Sequence, residues 1–228
     1  FVNIPYETGL GLKYRQAIEN LQKSELLKGV RLLAPQPSPK IFGYRASFKL
    51  AVRAKQGVLQ IGLFKPGTHQ VVDMNSCPLH VPVLRRLLKG LQALLSDLVS
   101  QGAVSAWDEQ TEQGDLRYVV ARASHLTGEI QLVFVVQDES KKEVYKTIVR
   151  ELKKQDLTIN SAFLNINPEG GNAIFSRNFM KLSGQEQVRV ALNNMNLSAS
   201  PSSFLQVNPW QASLLYGRIA ALAGTEGR

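Results

Sequence analysis

The sequence has little of what builds covalent or metal-stabilised folds: one cysteine, Cys77, and three scattered histidines in 228 residues. A single cysteine excludes an internal disulfide, and the spacing of His69, His80 and His125 matches no metal-ligand pattern. Long hydrophobic runs are also missing, since the apolar stretch at 132–136 is far shorter than the ~18 residues that span a bilayer. The N-terminus carries no basic-then-apolar signal pattern. We therefore expect a cytoplasmic protein with no disulfides, zinc fold or membrane span.

The composition that is present is typical of a globular protein with a polyanionic partner. An apolar fraction of 44% with 20% charged residues excludes a disordered or collagen-like chain. At ~150 residues per domain, the length allows one large domain or two small ones. The formal net charge of +9 and the pI near 9.7 favour an anionic polymer or a membrane surface as partner. Because the chain begins at Phe1 and stops just after a helix-like segment, we expect a piece of a longer protein.

Hydrophobic periodicity predicts an α+β domain. Apolar residues at three- and four-residue spacing predict a helix from Pro5 to about Ser24, and three prolines between 35 and 39 predict an extended linker at a domain border. The elements predicted after the linker are a hairpin over 47–64, a helix over 78–100, a hairpin over 116–137, a helix over 141–155, and short strands at 158–166, 172–176 and 187–192. Tight turns require antiparallel neighbours, so we expect a mainly antiparallel sheet with covering helices.

The segment 200–208 carries the sharpest local signal. Asn208 is placed to cap a helix that starts at Pro209, and Gly224 lies where that helix should stop. Phe204 and Gln206 alternate with apolar neighbours on the extended stretch before the helix and so share a side. An aromatic ring beside an amide can stack on a base and bond its edge, or hold the polar groups of a cofactor. The plain alternative places Phe204 in the core and leaves Gln206 merely exposed.

A cationic strand face is the strongest electrostatic feature. Arg45, Lys49 and Arg53 recur at four-residue spacing on one side of the first hairpin, continued by Lys55 and Lys65. Such a row suits successive phosphates of a nucleic acid. The alternative is an ordinary solvated face of an antiparallel sheet.

Two other features favour ordinary structural interpretations. The basic stripe on the helix over 141–155 is typical of a solvated helix face. Cys77 precedes Pro78 and is typical of a small buried apolar residue, because no second cysteine shares a metal and no base is predictable beside it. The sequence contains no phosphate-binding glycine loop, carboxylate pair or Ser-His-Asp set.

Several motifs gain meaning from their order along the chain. They are Phe42-Gly43-Tyr44-Arg45, the runs 62–69 and 72–79 that end in Pro-Gly-Thr-His and Asn-Ser-Cys-Pro-Leu, the run 116–120 followed by 125–129, and the run 200–208 with Phe-Leu-Gln-Val-Asn. Together they resemble the RNA (uracil-5-)-methyltransferase family, and most closely its branch that acts on 23S ribosomal RNA. The resemblance extends from Pro5 to Gly224.

The resemblance implies an S-adenosylmethionine-dependent enzyme that forms 5-methyluridine in RNA. In the family, a cysteine thiolate adds to C6 of a flipped-out uracil, C5 takes the methyl group, and a carboxylate removes the C5 proton. Gln206 matches the position that contacts the methyl donor, and Phe204 lies beside it, next to the target base. Cys77 matches the last of four cysteines that ligate a 4Fe-4S cluster in cluster-bearing members.

The sequence departs from the family pattern at both ends. The three earlier cluster cysteines are absent, so Cys77 alone cannot hold a cluster in this chain. The donor loop, the nucleophilic cysteine and the catalytic base would follow Arg228. The resemblance therefore implies a monomeric and, by itself, inactive piece. Its parts would be an N-terminal helix region at 1–34 that packs on the methyltransferase domain, an RNA-binding domain at 40–200, and the start of a Rossmann-like methyltransferase domain at 201–228. The alternative is a free-standing ribosomal-RNA-binding module that never methylates.

Overall fold

The computed structural model describes residues 3–25, 29–30, 32–169, 173–193 and 195–224. The chain forms two compact units, Phe1–Ile41 and Phe42–Arg228. None of the helices in the described part is long and apolar enough to cross a membrane.

The first unit is built on one helix, α1 (Tyr6–Leu21). The Tyr6 hydroxyl accepts a hydrogen bond from the Ser38 amide at 2.6 Å, and the Tyr14 hydroxyl donates to the Leu32 carbonyl at 3.3 Å. These two bonds hold the proline-rich segment along the helix. The helix predicted from the apolar spacing is confirmed, although it ends three residues before Ser24.

The second unit is centred on a seven-stranded sheet in the order β3-β2-β1-β4-β5-β6-β7. Its strands are β1 (Ser47–Lys55), β2 (Val58–Phe64), β3 (Val71–Asp73), β4 (Leu116–Ala123), β5 (Ile130–Val136), β6 (Ile159–Ile166) and β7 (Phe179–Gly184). Every neighbouring pair is antiparallel except β5 and β6. A separate hairpin follows, formed by β8 (Val188–Leu192) and β9 (Met195–Ala199). The predicted α+β class with a mainly antiparallel sheet is confirmed.

Two helices cover one face of the sheet, α2 (Pro82–Ser100) and α3 (Lys142–Lys153). Leucines of α2 and the apolar side of α3 pack on inward residues of the strands, such as Phe48, Leu50 and Val52 of β1. Successive side chains of a strand point to opposite faces, so alternate residues of each strand meet the helices, while β5 is buried on both faces along its whole length. The parallel pair β5 and β6 exists because α3 carries the chain back across the sheet between them.

The edges of the sheet differ from the prediction. The strand predicted at 172–176 is wrong for residues 173–176, which form a loop, and Asn172 lies outside the described residues. The strand after this loop is β7 instead, while the loop packs Phe175 on Phe179 at 5.2 Å between ring centroids. The short strand β3 was not predicted. It pairs with β2 at Gly62, where a side chain would overlap the Val72 carbonyl.

Candidate functional site

The segment that carries Phe204 and Gln206 is held at its C-terminal end by two hydrogen bonds. The Ala46 amide donates to the Val207 carbonyl at 2.8 Å, which ties the segment to the start of β1. The Asn208 side chain accepts from the Gln211 amide at 3.1 Å and caps α4 (Pro209–Leu222). The predicted cap and the start at Pro209 are confirmed. A side-chain cap satisfies an amide that the first helical turn leaves without a partner.

Arg122 of β4 holds the other end of the segment. Its guanidinium donates to the carbonyl of Ser200 at 3.3 Å and to the carbonyl of Ser203 at 2.6 Å. Burial lowers the pKa of Arg122, but the guanidinium stays charged at neutral pH because an arginine is so strongly basic. The Ser203 amide also donates to the Ser200 carbonyl at 3.0 Å, so the turn is closed from both sides. The residues that follow are therefore presented on a fixed backbone.

On this backbone, Phe204 and Gln206 both point into solvent. The Phe204 side chain is 82% exposed, and Gln206 is exposed beside it, while Leu205 and Val207 are half-buried. The predicted shared side is confirmed, and a core position for Phe204 is excluded. Because the Phe204 ring is exposed, it adds little to the stability of the fold. Its flat face is available for stacking.

Beside Phe204 lies a cavity of about 280 Å³, named here the basic cavity. Its lining includes Arg45, Lys49, His80, Arg122 and Phe204. Within the described ranges, no carboxylate forms an ion pair with Arg45 or Lys49. The Lys49 ammonium instead lies 5.1 Å from the ring centroid of Phe175. Two cations that have no carboxylate partner among the described residues, next to an exposed ring, form an electrostatic and stacking site for a polyanion.

A second cavity of about 220 Å³, which Phe204 also lines, is named here the apolar cavity. The hairpin of β8 and β9 forms one wall with Val190 and Leu197, and α4 forms another with Ala212 and Tyr216. Gln206 also lines this cavity, and its side-chain amide is the polar group that the segment contributes to it. Phe204 thus lines both a cationic cavity and an apolar one.

The structure does not offer Arg53 to a ligand, and its predicted place on an accessible cationic face is wrong. Arg53 is 9% exposed, and its guanidinium forms a hydrogen-bonded ion pair with Glu109. It also donates to the carbonyl of Val52 at 2.8 Å and of Arg117 at 3.1 Å. The ring of Phe64 lies 5.1 Å from the guanidinium carbon. Arg53 therefore has a structural role and is not part of the candidate RNA-binding surface.

Lys65 is exposed at the turn between β2 and β3, and it lines neither cavity. Its amide donates to the Gln70 carbonyl at 2.8 Å, which closes that turn. Of the cations predicted to form the RNA-binding face, the structure therefore brings only Arg45 and Lys49 into the lining of the basic cavity beside Phe204.

Cys77 does not provide a metal centre from this chain. Its thiol is free and half-buried, and its amide donates to the Met74 carbonyl at 3.1 Å in a turn. A 4Fe-4S cluster needs four thiolates, and Cys77 is the one cysteine in the sequence. Across the residues that the structure describes, no three His, Cys, Asp or Glu side chains come together as metal ligands. The residues present do not fit a cluster.

Two site residues were missed by sequence reasoning, Arg122 and His80. Arg122 lies opposite Ser47 in the pairing of β1 with β4, and Lys49 lies opposite Val120, so Arg122 shares the face of Lys49. The alternation of residues in β4 could have predicted which face Arg122 takes. The register between β1 and β4, which places Arg122 near Lys49, could not be predicted from the sequence. His80 reaches the cavity because residues 43–45 pair with residues 78–81, a contact without a local pattern.

Comparison with known proteins gives relatives over nearly the whole chain. An uncharacterized RNA methyltransferase of Lactobacillus johnsonii is 32% identical over 217 residues, which are 94% of this chain and 46% of that protein. Another of Geobacter sulfurreducens is 27% identical over 223 residues, which are 98% of this chain and 44% of that protein. The chain thus spans about half the length of the curated relatives it matches. No protein-family model matches it.

The fold is found in a solved structure as well. The crystal structure of Pyrococcus abyssi tRNA (uracil-54, C5)-methyltransferase in complex with S-adenosyl-L-homocysteine superposes with a TM-score of 0.71. The match covers 96% of this chain and 48% of that one at 24% identity. This likeness concerns the fold. The sequence relatives, which are named RNA methyltransferases, confirm the resemblance carried by the motifs: the chain is similar to RNA methyltransferases over about half of their length.

Proposed function

We propose that this chain presents RNA for S-adenosylmethionine-dependent formation of 5-methyluridine, with 23S ribosomal RNA as substrate. The observation that carries the proposal is the exposed ring of Phe204, on a hydrogen-bonded backbone segment, beside Arg45 and Lys49, two cations without a carboxylate partner in the described part. RNA recognition typically combines phosphate contacts with stacking of unpaired bases on aromatic side chains.

Each residue has a distinct task in this proposal. Arg45 and Lys49 neutralise phosphates at the mouth of the basic cavity. Phe204 stacks on a base that has left its helix, and the bonds from Arg122 to the carbonyls of Ser200 and Ser203 hold the backbone that leads to Phe204. A preordered stacking platform lowers the entropy that binding must lose.

Gln206 is the residue of this chain proposed to contact the methyl donor. Its amide is exposed and lines the apolar cavity, so it can both donate and accept hydrogen bonds. The donor, when bound, supplies an electrophilic methyl group. The chain's own contribution is to orient that donor and the base on either side of the Phe204 segment. The crystal structure that shares this fold contains S-adenosyl-L-homocysteine, which supports a donor of this class.

A second function is favoured by one observation. The chain carries binding features, yet Cys77 is its one thiol and lies in a turn rather than in either cavity. A ribosomal-RNA-binding module without turnover would have these properties. The two functions agree on RNA binding and differ on methyl transfer.

The experiment that separates them follows the product. The protein that contains this chain, purified from its native source, is incubated with S-adenosylmethionine and unmodified 23S ribosomal RNA, and the nucleosides are analysed by mass spectrometry. We expect 5-methyluridine to form, and Gln206→Ala to weaken donor binding in calorimetry while Gln101→Ala, an exposed amide after α2, leaves it unchanged. Uridine that stays unmodified although the RNA binds would refute the enzyme and support the binding module.

A further inference from the structure

His80 is a buried polar side chain with an unsatisfied atom in the basic cavity. It is 1% exposed, and its Nδ1 has no hydrogen-bond partner among the residues described. The ring packs against Phe48 at 5.5 Å between centroids, and the backbone beside it is fixed because the Val81 amide donates to the Arg45 carbonyl at 3.0 Å. A buried polar atom left without a partner costs free energy, so its presence in a cavity wall points to a partner from outside the fold.

The imidazole is neutral at physiological pH. Burial, and then the charges of Arg45 and Arg85, lower the pKa of His80 to about 4. A neutral ring offers one N–H donor and one nitrogen acceptor, whereas a protonated ring offers donors only. The atom without a partner, Nδ1, is a donor or an acceptor according to the tautomer, and a base edge carries groups that match either one, whereas a bare phosphate only accepts.

The other residues that line the basic cavity are of two kinds, cationic and apolar. Arg45 and Lys49 supply positive charge, while Leu50, Val120 and Leu205 supply apolar walls. Its volume of about 280 Å³ is near the lower limit of small-ligand pockets, which run from about 300 to 1,000 Å³. This is room for one nucleotide rather than for a longer stretch of chain.

We propose that the basic cavity is a nucleotide subsite in which His80 hydrogen-bonds the edge of one RNA base and Arg45 and Lys49 hold its phosphate. The base in this cavity is a neighbour of the one stacked at Phe204, because Phe204 forms the rim of the cavity. That the nucleotide belongs to RNA rests on the proposed function. The subsite gives the chain a means to choose among sequences, which Phe204 alone does not, because stacking tolerates every base.

Nuclear magnetic resonance of the 228-residue chain with nitrogen-15 in its histidines tests the subsite. Uridine monophosphate is titrated first, then a short uridine-containing RNA, and then inorganic phosphate as a separate arm. We expect the Nδ1 signal of His80 to move with the nucleotide and with the RNA, and to move much less with inorganic phosphate, which can reach Arg45 and Lys49 but has no base to bond Nδ1. His69 is the internal control, because its side chain is exposed and it lines neither cavity.

Variants give a second measurement. His80→Leu keeps a comparable volume and removes both nitrogens, so we expect affinity for the short RNA to fall about three- to tenfold, the effect of one lost hydrogen bond. His80→Gln restores a donor and an acceptor and should recover part of the affinity. His69→Gln should bind as the unmodified chain does. A His80→Leu chain that fails to fold leaves the spectra of the unmodified chain as the deciding test.

The outcomes separate this subsite from the proposed function. RNA that binds and depends on Phe204, with an unmoved His80 signal, would overturn the subsite and leave the proposed function standing. No binding of RNA at all would overturn both. A His80 signal that moves with uridine monophosphate and not with RNA would overturn the RNA subsite, since the cavity would then take a free nucleotide.

Discussion

Arg53→Ala lowers the free energy of unfolding by about 2–3 kcal/mol. Removing one partner of a buried ion pair costs about 3–5 kcal/mol. The smaller value is expected here because the Glu109 side chain is 29% exposed. The change also removes the donors to the carbonyls of Val52 and Arg117. Urea unfolding followed by tryptophan fluorescence measures the difference.

The matched control is Lys55→Ala, an exposed lysine at the end of the same strand. It should change the free energy of unfolding by less than about 0.5 kcal/mol. Arg53→Ala with unchanged stability and weaker RNA binding would contradict the structural role of Arg53 and return it to the candidate surface.

The same ion pair adds an acid-sensitive contribution. Burial alone would raise the pKa of Glu109, but the hydrogen bonds and charges of Arg53 and His69 outweigh it and leave the pKa below the ordinary 4.5. The unfolded chain therefore binds this proton more readily than the folded chain does. The contribution is complete above about pH 4.5 and is lost as the pH falls through the lowered value. Arg53→Ala should flatten this part of the stability curve.

Phe204→Ala weakens binding of single-stranded RNA about 5- to 150-fold and leaves stability unchanged. Stacking of one base on an aromatic side chain is worth about 1–3 kcal/mol, and 1.4 kcal/mol is a factor of ten in affinity. Stability is spared because the ring is 82% exposed and contributes little to the core. Fluorescence anisotropy of a labelled oligonucleotide and urea unfolding measure the two quantities side by side.

Two controls belong to the Phe204 experiment. Phe204→Tyr keeps the aromatic face and should retain most of the affinity. Leu126→Ala removes an apolar side chain that is 67% exposed and lines neither cavity, so RNA binding should stay unchanged. Equal losses for Phe204→Ala and Leu126→Ala would mean that Phe204 acts as general apolar surface and does not stack.

Local features of the fold were readable from the sequence. The hairpin predicted over 47–64 has the observed ends of β1 and β2, because alternation and the turn at Gln56 and Gly57 are both local signals. The cap at Asn208 was readable for the same reason. Simple alternation correctly placed Phe204 and Gln206 on one side of the segment, but it left open whether Phe204 is buried or exposed.

Long-range features were not readable. The partner of Arg53 is Glu109, which comes 56 residues later and reaches the strand from a loop. An alternating strand pattern shows which face a cation takes, but not what covers that face. The strand β3 has three residues and β9 has a mixed polar pattern, and both exist because a neighbour supplies the hydrogen bonds. His80 enters the cavity through a similar distant pairing.

The most direct test of a cationic RNA surface beside Phe204 is the salt dependence of RNA affinity in the 228-residue chain. In the double variant Arg45→Ala, Lys49→Ala, the slope of log K against log[salt] for single-stranded RNA should become shallower by about 1.4, at ~0.7 per lost phosphate contact. The double variant Lys89→Ala, Lys153→Ala, which removes two exposed lysines from α2 and α3, should keep the original slope. A slope unchanged by the first pair and reduced by the second would contradict the account and place RNA on the helical side of the sheet.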